Sequence, residues 1–177
     1  MTSCASTPDD MDDPDPQDPT GSDSEMPPQD PTPETPTQAV ERVITQWQQC
    51  MQLADFQASN MAGAWSGLQT QQALTCQGCH ATAAGGFIAT AQAEPFFNLI
   101  QMQKYLLIMF VIPDLSEGTG AAKMIVNVPV FERVATGSEP HAQHPRFAFP
   151  DNAGMTALRD FHARTMARIN AGGCGLL

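Results

Sequence analysis

Cys76-Gln77-Gly78-Cys79-His80 sets two thiols at an x-x spacing with an imidazole directly after the second. Thiols at that spacing can add across the two vinyl groups on one edge of a porphyrin. The adjoining histidine is then carried under the iron as its proximal ligand, which is the pattern of covalent c-type haem attachment. Two other chemistries use a Cys-x-x-Cys pair. Structural zinc needs two more ligands at similar spacing, and a thioredoxin-like redox pair wants a strand before the motif and a helix after it. Neither context is evident around residues 76–80.

Three further cysteines bear on location. Thr2-Ser3-Cys4 followed by a polar, proline-rich spacer resembles the start of a mature bacterial lipoprotein, in which that cysteine carries the lipid. A charged segment and an apolar segment should precede such a cysteine. Lipidation of Cys4 therefore requires a start upstream of Met1; with Met1 as the start, Cys4 is an ordinary thiol. With Cys4 on lipid and Cys76 and Cys79 on haem, Cys50 and Cys174 remain. They are the right number for one disulfide, which would pin the C-terminus to the first helix in an oxidising compartment. The alternative is two separate buried thiols.

The elements that must position these groups lie in one domain. The chain has 177 residues and 42% hydrophobic content, enough for one compact domain. Residues 1–38 hold ten of the nineteen acidic residues, no Lys or Arg, and nine of the fifteen prolines. Such a segment buries little apolar area and is extended by proline and charge repulsion, so 1–38 is expected to be a disordered linker. Residues 39–177 then carry nine acidic and eight basic side chains, a net charge of about −1, and form the haem domain. A nearly neutral body gives no reason to expect a nucleic-acid partner.

Within the body, Val40, Val43, Ile44, Trp47 and Met51 make one helical face, with a cap at Thr37. A second helical stretch starts near Asp55 and buries Phe56, Met61, Ala64, Trp65 and Leu68. Trp47 and Trp65 are expected in the core, with contact to the haem edge as the alternative. The haem motif opens a short helix, and Ala84-Gly85-Gly86-Phe87 turns the chain close to the porphyrin. Residues 95–112 form a core helix ended by Pro113. Its unbroken apolar run, from Tyr105 to Ile112, is far short of the ~20 residues that span a bilayer. Met124 to Val130 is the one β-like stretch, an edge strand because of Pro129. A long loop over about 135–150 carries His141 and His144, and a final helix covers about 152–170 with Met155, Leu158, Phe161, Met166 and Ile169 inward and Arg159, Arg164 and Arg168 outside.

On Cys76, Cys79 and His80 the chain resembles the monohaem c-type cytochromes. The resemblance implies a mainly α, single cytochrome c-like helical domain, one covalent haem c, electron transfer rather than enzyme catalysis, and a redox protein as partner. It also implies export, to the periplasm or cell envelope, with membrane contact only through a lipid on Cys4. The chain departs from the common small cytochromes in having a long helical segment ahead of the motif.

The sixth iron ligand is open among several side chains. Met102, Met109 and Met155 fall at helical spacing, where methionine is usually core. Met124 lies at a break between elements, and His141 and His144 in a long loop of the kind that often carries function. His144 is the first candidate, followed by Met124 and His141. His162, on the apolar side of the last helix, could reach iron or a haem propionate. Two rival classes remain: a five-coordinate haem enzyme or gas sensor with an open distal site, and a haem-free envelope lipoprotein with a binding or scaffold role.

Overall fold

The computed structural model describes residues 32–82, 87–103, 109–140 and 142–174. Residues 1–31, which include Cys4 and most of the expected linker, lie outside them, as do His141 and residues 84–86 of the expected turn. The compact body, Glu34–Leu177, is mainly helical.

Helix α1, Pro36–Cys50, begins with Thr35 and not Thr37 as its cap. The Thr35 hydroxyl accepts from the Gln38 N–H, and the Gln38 side chain accepts from the Thr35 N–H at 2.9 Å. Proline at the first helical position costs nothing there, because its missing N–H would have had no helical partner. The helix buries Ala39, Val43, Trp47 and Cys50. The stretch expected as one helix from Asp55 is two, α2 (Leu53–Ala58) and α3 (Met61–Ser66). Asn60 separates them at a φ of 55°, a conformation that Asn tolerates better than most side chains.

The motif helix α4 covers Cys76–His80, and α5 covers Ala93–Gln103 with Phe96, Phe97 and Ile100 buried. Residues 104–108 are outside the described set. Met109 is still helical, and from Val111 the chain is strand where helix was expected to Ile112: β1 (Val111–Asp114) pairs antiparallel with β2 (Lys123–Val126), with Val111 opposite Val126 and Pro113 opposite Met124. The expected strand thus stops at Val126. Asn127 caps helix α6, Val128–Ala135, accepting from the Val130 N–H, and Pro129 falls in its first turn. Proline is tolerated at a helix start and not in a sheet interior, so a residue read as an edge-strand marker is a helix starter.

Helix α7, Ala153–Asn170, closes the chain, capped by Asn152 through the Met155 N–H at 2.8 Å. Met155, Leu158, Phe161 and Thr165 are buried on it, and the Thr165 hydroxyl donates to the Phe161 carbonyl at 3.0 Å. This face packs on α1, α2, α3 and β2. Two cross-links fix its far end. Arg168 pairs with Asp55 at 2.8 Å, and Cys174 forms a disulfide with Cys50 at the end of α1. Among the described residues no helix is long and apolar enough to cross a membrane.

Candidate functional site

The Cys-x-x-Cys-His segment is a single helical turn held at both ends. Ahead of it the chain doubles back through a narrow ribbon in which Gln69 bridges Thr75 and the Thr70 N–H donates to the Leu74 carbonyl at 2.8 Å. Thr75 then caps α4, its hydroxyl accepting from the Gly78 N–H at 3.1 Å. At the other end the Ala89 N–H donates to the His80 carbonyl at 3.2 Å. One turn of helix turns Cys76 and His80 into the cleft and leaves Cys79 exposed and outside the cleft lining.

His80 has its orientation set by a backbone carbonyl. Its Nδ1 lies 3.2 Å from the Phe87 oxygen, which can only accept, so in the neutral ring Nδ1 carries the proton. Burial, with Cys79 as a smaller cause, pushes the Cys76 thiol up to about 11.

The facing wall comes from the segment between α6 and α7. Its first residues wrap the C-terminus of α6, where the Arg133 carbonyl accepts from the Ser138 N–H at 2.9 Å and the Glu139 N–H at 3.2 Å. Its later residues are stitched to both partners. The Phe147 N–H donates to the Ala135 carbonyl at 2.9 Å, and the Gln71 N–H donates to the Arg146 carbonyl at 2.8 Å. Thr70 and Phe147 form a bridge. The ribbon that delivers Cys76 and His80 is therefore hydrogen-bonded to the segment that delivers His144. The outcome is a direct opposition: the His80 and His144 rings lie with centroids 6.4 Å apart and planes inclined at 36°.

Between these walls is an open-mouthed apolar cleft of about 130 Å³, smaller than the ~300–1,000 Å³ of cofactor pockets, so a porphyrin would need the walls to part. Trp65, Phe87, Phe110, Phe131 and Phe147 supply aromatic surface, and Leu68, Met109 and Val134 aliphatic surface. Trp65 is fixed by an indole N–H donated to the Gly154 carbonyl at 3.0 Å. A porphyrin fits this setting on donor chemistry. One metal ion bound by both rings needs two metal–nitrogen bonds of about 2 Å and about 1 Å more from each nitrogen to its ring centre, or about 6 Å between centroids. The observed spacing meets that requirement. A protein-only zinc site would need four convergent donors; among the described residues no group of three or more His, Cys, Asp or Glu side chains is so arranged.

The other expected ligands fall elsewhere. Met124 sits on β2, 1% exposed, and is not among the side chains lining the cleft. His162 stacks on Trp47 with centroids 5.1 Å apart and donates from Nε2 to the Met124 carbonyl at 2.9 Å, a structural role away from the cleft. Burial holds its pKa below the ordinary value. Trp47 is core, whereas Trp65 reaches the cleft. Met155 is buried and Met102 is exposed. Met109, read from its spacing as helical core, lines the cleft instead. Phe131 and Val134 were hidden because they fall between the expected strand, which ended at Val130, and the expected loop from about 135; the i, i+3 spacing of these two residues was the available signal. No protein-family model, curated protein or solved structure matches this chain.

Proposed function

We propose that this chain is an exported monohaem c-type cytochrome that carries electrons to and from a protein partner. The observation that supports this reading is the apolar cleft in which α4 presents Cys76 and His80 while His144 faces His80. Cys76 and Cys79 would hold the haem as thioethers, and His80 and His144 would supply nitrogen donors to its iron. A bound haem supplies one-electron chemistry at iron.

The chain's own residues set the conditions for that chemistry. The Phe87 carbonyl, by taking the Nδ1 proton of His80, fixes the ring's tautomer and raises its basicity as a ligand. The aromatic walls give the cleft an apolar surface that would lower the local dielectric around a bound haem, which is one of the levers on potential. A second imidazole in place of a thioether omits the rise in potential that methionine ligation gives. With His144 on the distal side, an electron carrier is favoured over an open-site haem enzyme or gas sensor. The Cys50–Cys174 disulfide supports an oxidising compartment such as the periplasm or cell envelope, where Cys4 would serve as a lipid anchor.

The test is a reduced-minus-oxidised visible spectrum of the full chain exported with a haem-attachment system. A c-type α band and a low-spin spectrum unresponsive to cyanide are expected. A colourless product would leave the haem-free lipoprotein reading, and a high-spin spectrum shifted by cyanide would favour the enzyme or sensor.

A further inference from the structure

We infer that Gly137 is the residue that positions His144 opposite His80, and that any side chain at 137 would push the distal imidazole away. This rests on the haem reading given above. Helix α6 ends at Ala135, and the chain reverses at Gly137 with a φ of +75°, a left-handed conformation that side chains with a Cβ resist. The reversal lets the 137 backbone lie directly against the His144 peptide. A Cβ at 137 would stand 2.6 Å from the His144 carbonyl oxygen and 3.0 Å from Cγ of Arg146.

An approach of 2.6 Å between carbon and oxygen has to be relieved by movement. The Arg146 stem can swing aside; the His144 carbonyl precedes Pro145, whose fixed φ opposes rotation of that peptide alone. The turn itself is tied to α6 by four backbone bonds, from Thr136 to Glu132, Gly137 to Val134, and both Ser138 and Glu139 to Arg133. Retreat on that side would open the helix end. The displacement therefore falls on residue 144, and its imidazole moves with its carbonyl. Gly137 is a positioning residue, acting on the metal site only through His144.

A matched control exists in the same chain. Gly118 has a φ of +94° but nothing within 4 Å of the position its Cβ would take. G118A adds strain at a positive φ, in a more extended conformation with ψ 169°, and has no neighbour to displace. The experiment compares wild type, G137A, G137N, G118A and H144A, all exported with the haem-attachment system. Each is read for spin state, carbon monoxide affinity of the reduced protein, and circular dichroism. Asn tolerates the left-handed region, so G137N retains the fold while still introducing the Cβ.

Wild type and G118A should share a low-spin spectrum. G137A and G137N should shift toward H144A, with carbon monoxide binding tighter by about tenfold or more, because the competing imidazole no longer occupies the distal side. A folded G137N with wild-type spectrum and affinity, alongside a shifted H144A, would overturn the role of Gly137 and leave His144 as ligand. An H144A protein indistinguishable from wild type would overturn His144 ligation and this inference with it.

Discussion

His80 and His144, separated by sixty-four positions in sequence, face each other across an apolar cleft with ring centres 6.4 Å apart. Backbone hydrogen bonds between residues 70–71 and 146–147 hold together the two segments that carry these rings.

Among the described residues, two further side chains that could complete an iron site reach this cleft, His144 and Met109, and they predict different outcomes. H144A should convert a low-spin haem protein to high spin and open it to carbon monoxide, whereas M109A should leave the spectrum unchanged. The reverse pattern in visible and magnetic circular dichroism spectra would assign the thioether and raise the expected potential.

Much of this arrangement was readable from residue types. Cys76, Cys79 and His80 stand out by spacing, and His144 by its place in a long loop. The pairing of Cys50 with Cys174 follows from counting thiols. The final helix is legible because Met155, Leu158 and Phe161 keep a 3.6-residue period. The hairpin and α6 were not. Val111–Asp114 continues an apolar run that a helix also allows, and Pro129 is compatible with either an edge strand or a helix start. The choice is made by tertiary context, Val111 pairing with Val126 and Phe131 packing among Trp65, Phe110 and Phe147. Gly137 carried no signal of its own, since a required left-handed turn is visible only once the loop is folded.

The Cys50–Cys174 bridge closes a loop of 124 residues in sequence separation. A constraint of that length on the unfolded chain is worth about 3–5 kcal/mol. Adding a thiol reductant, or replacing both cysteines with Ser, should lower the denaturation midpoint accordingly. Thioether-linked haem resists the same reductant, so colour should persist while stability falls. An unchanged urea midpoint on reduction would show that the bridge contributes nothing to stability.

His162 predicts a pH dependence with a defined sign. Burial among Trp47 and β2 is the main cause that depresses its pKa below the ordinary 6.5, and the hydrogen bond to Met124 partly opposes it. In the window between the folded value and 6.5 the unfolded chain binds the extra proton. Stability from this site is thus complete above the unfolded value and is lost as pH falls through the folded one. H162Q keeps an N–H for the Met124 carbonyl but cannot titrate. Urea melts at about pH 7.5 and about pH 5.5 should differ less for H162Q than for wild type. Equal differences would rule out His162 as the titrating group.

The most direct test of the central claim is the intact mass of the full chain after export with a haem-attachment system, measured denatured and reduced. The account predicts the polypeptide mass plus one haem that survives acidic organic extraction, with the addition absent from the C76A/C79A double variant. A mass equal to the polypeptide alone, or a haem that washes out on extraction, would contradict it.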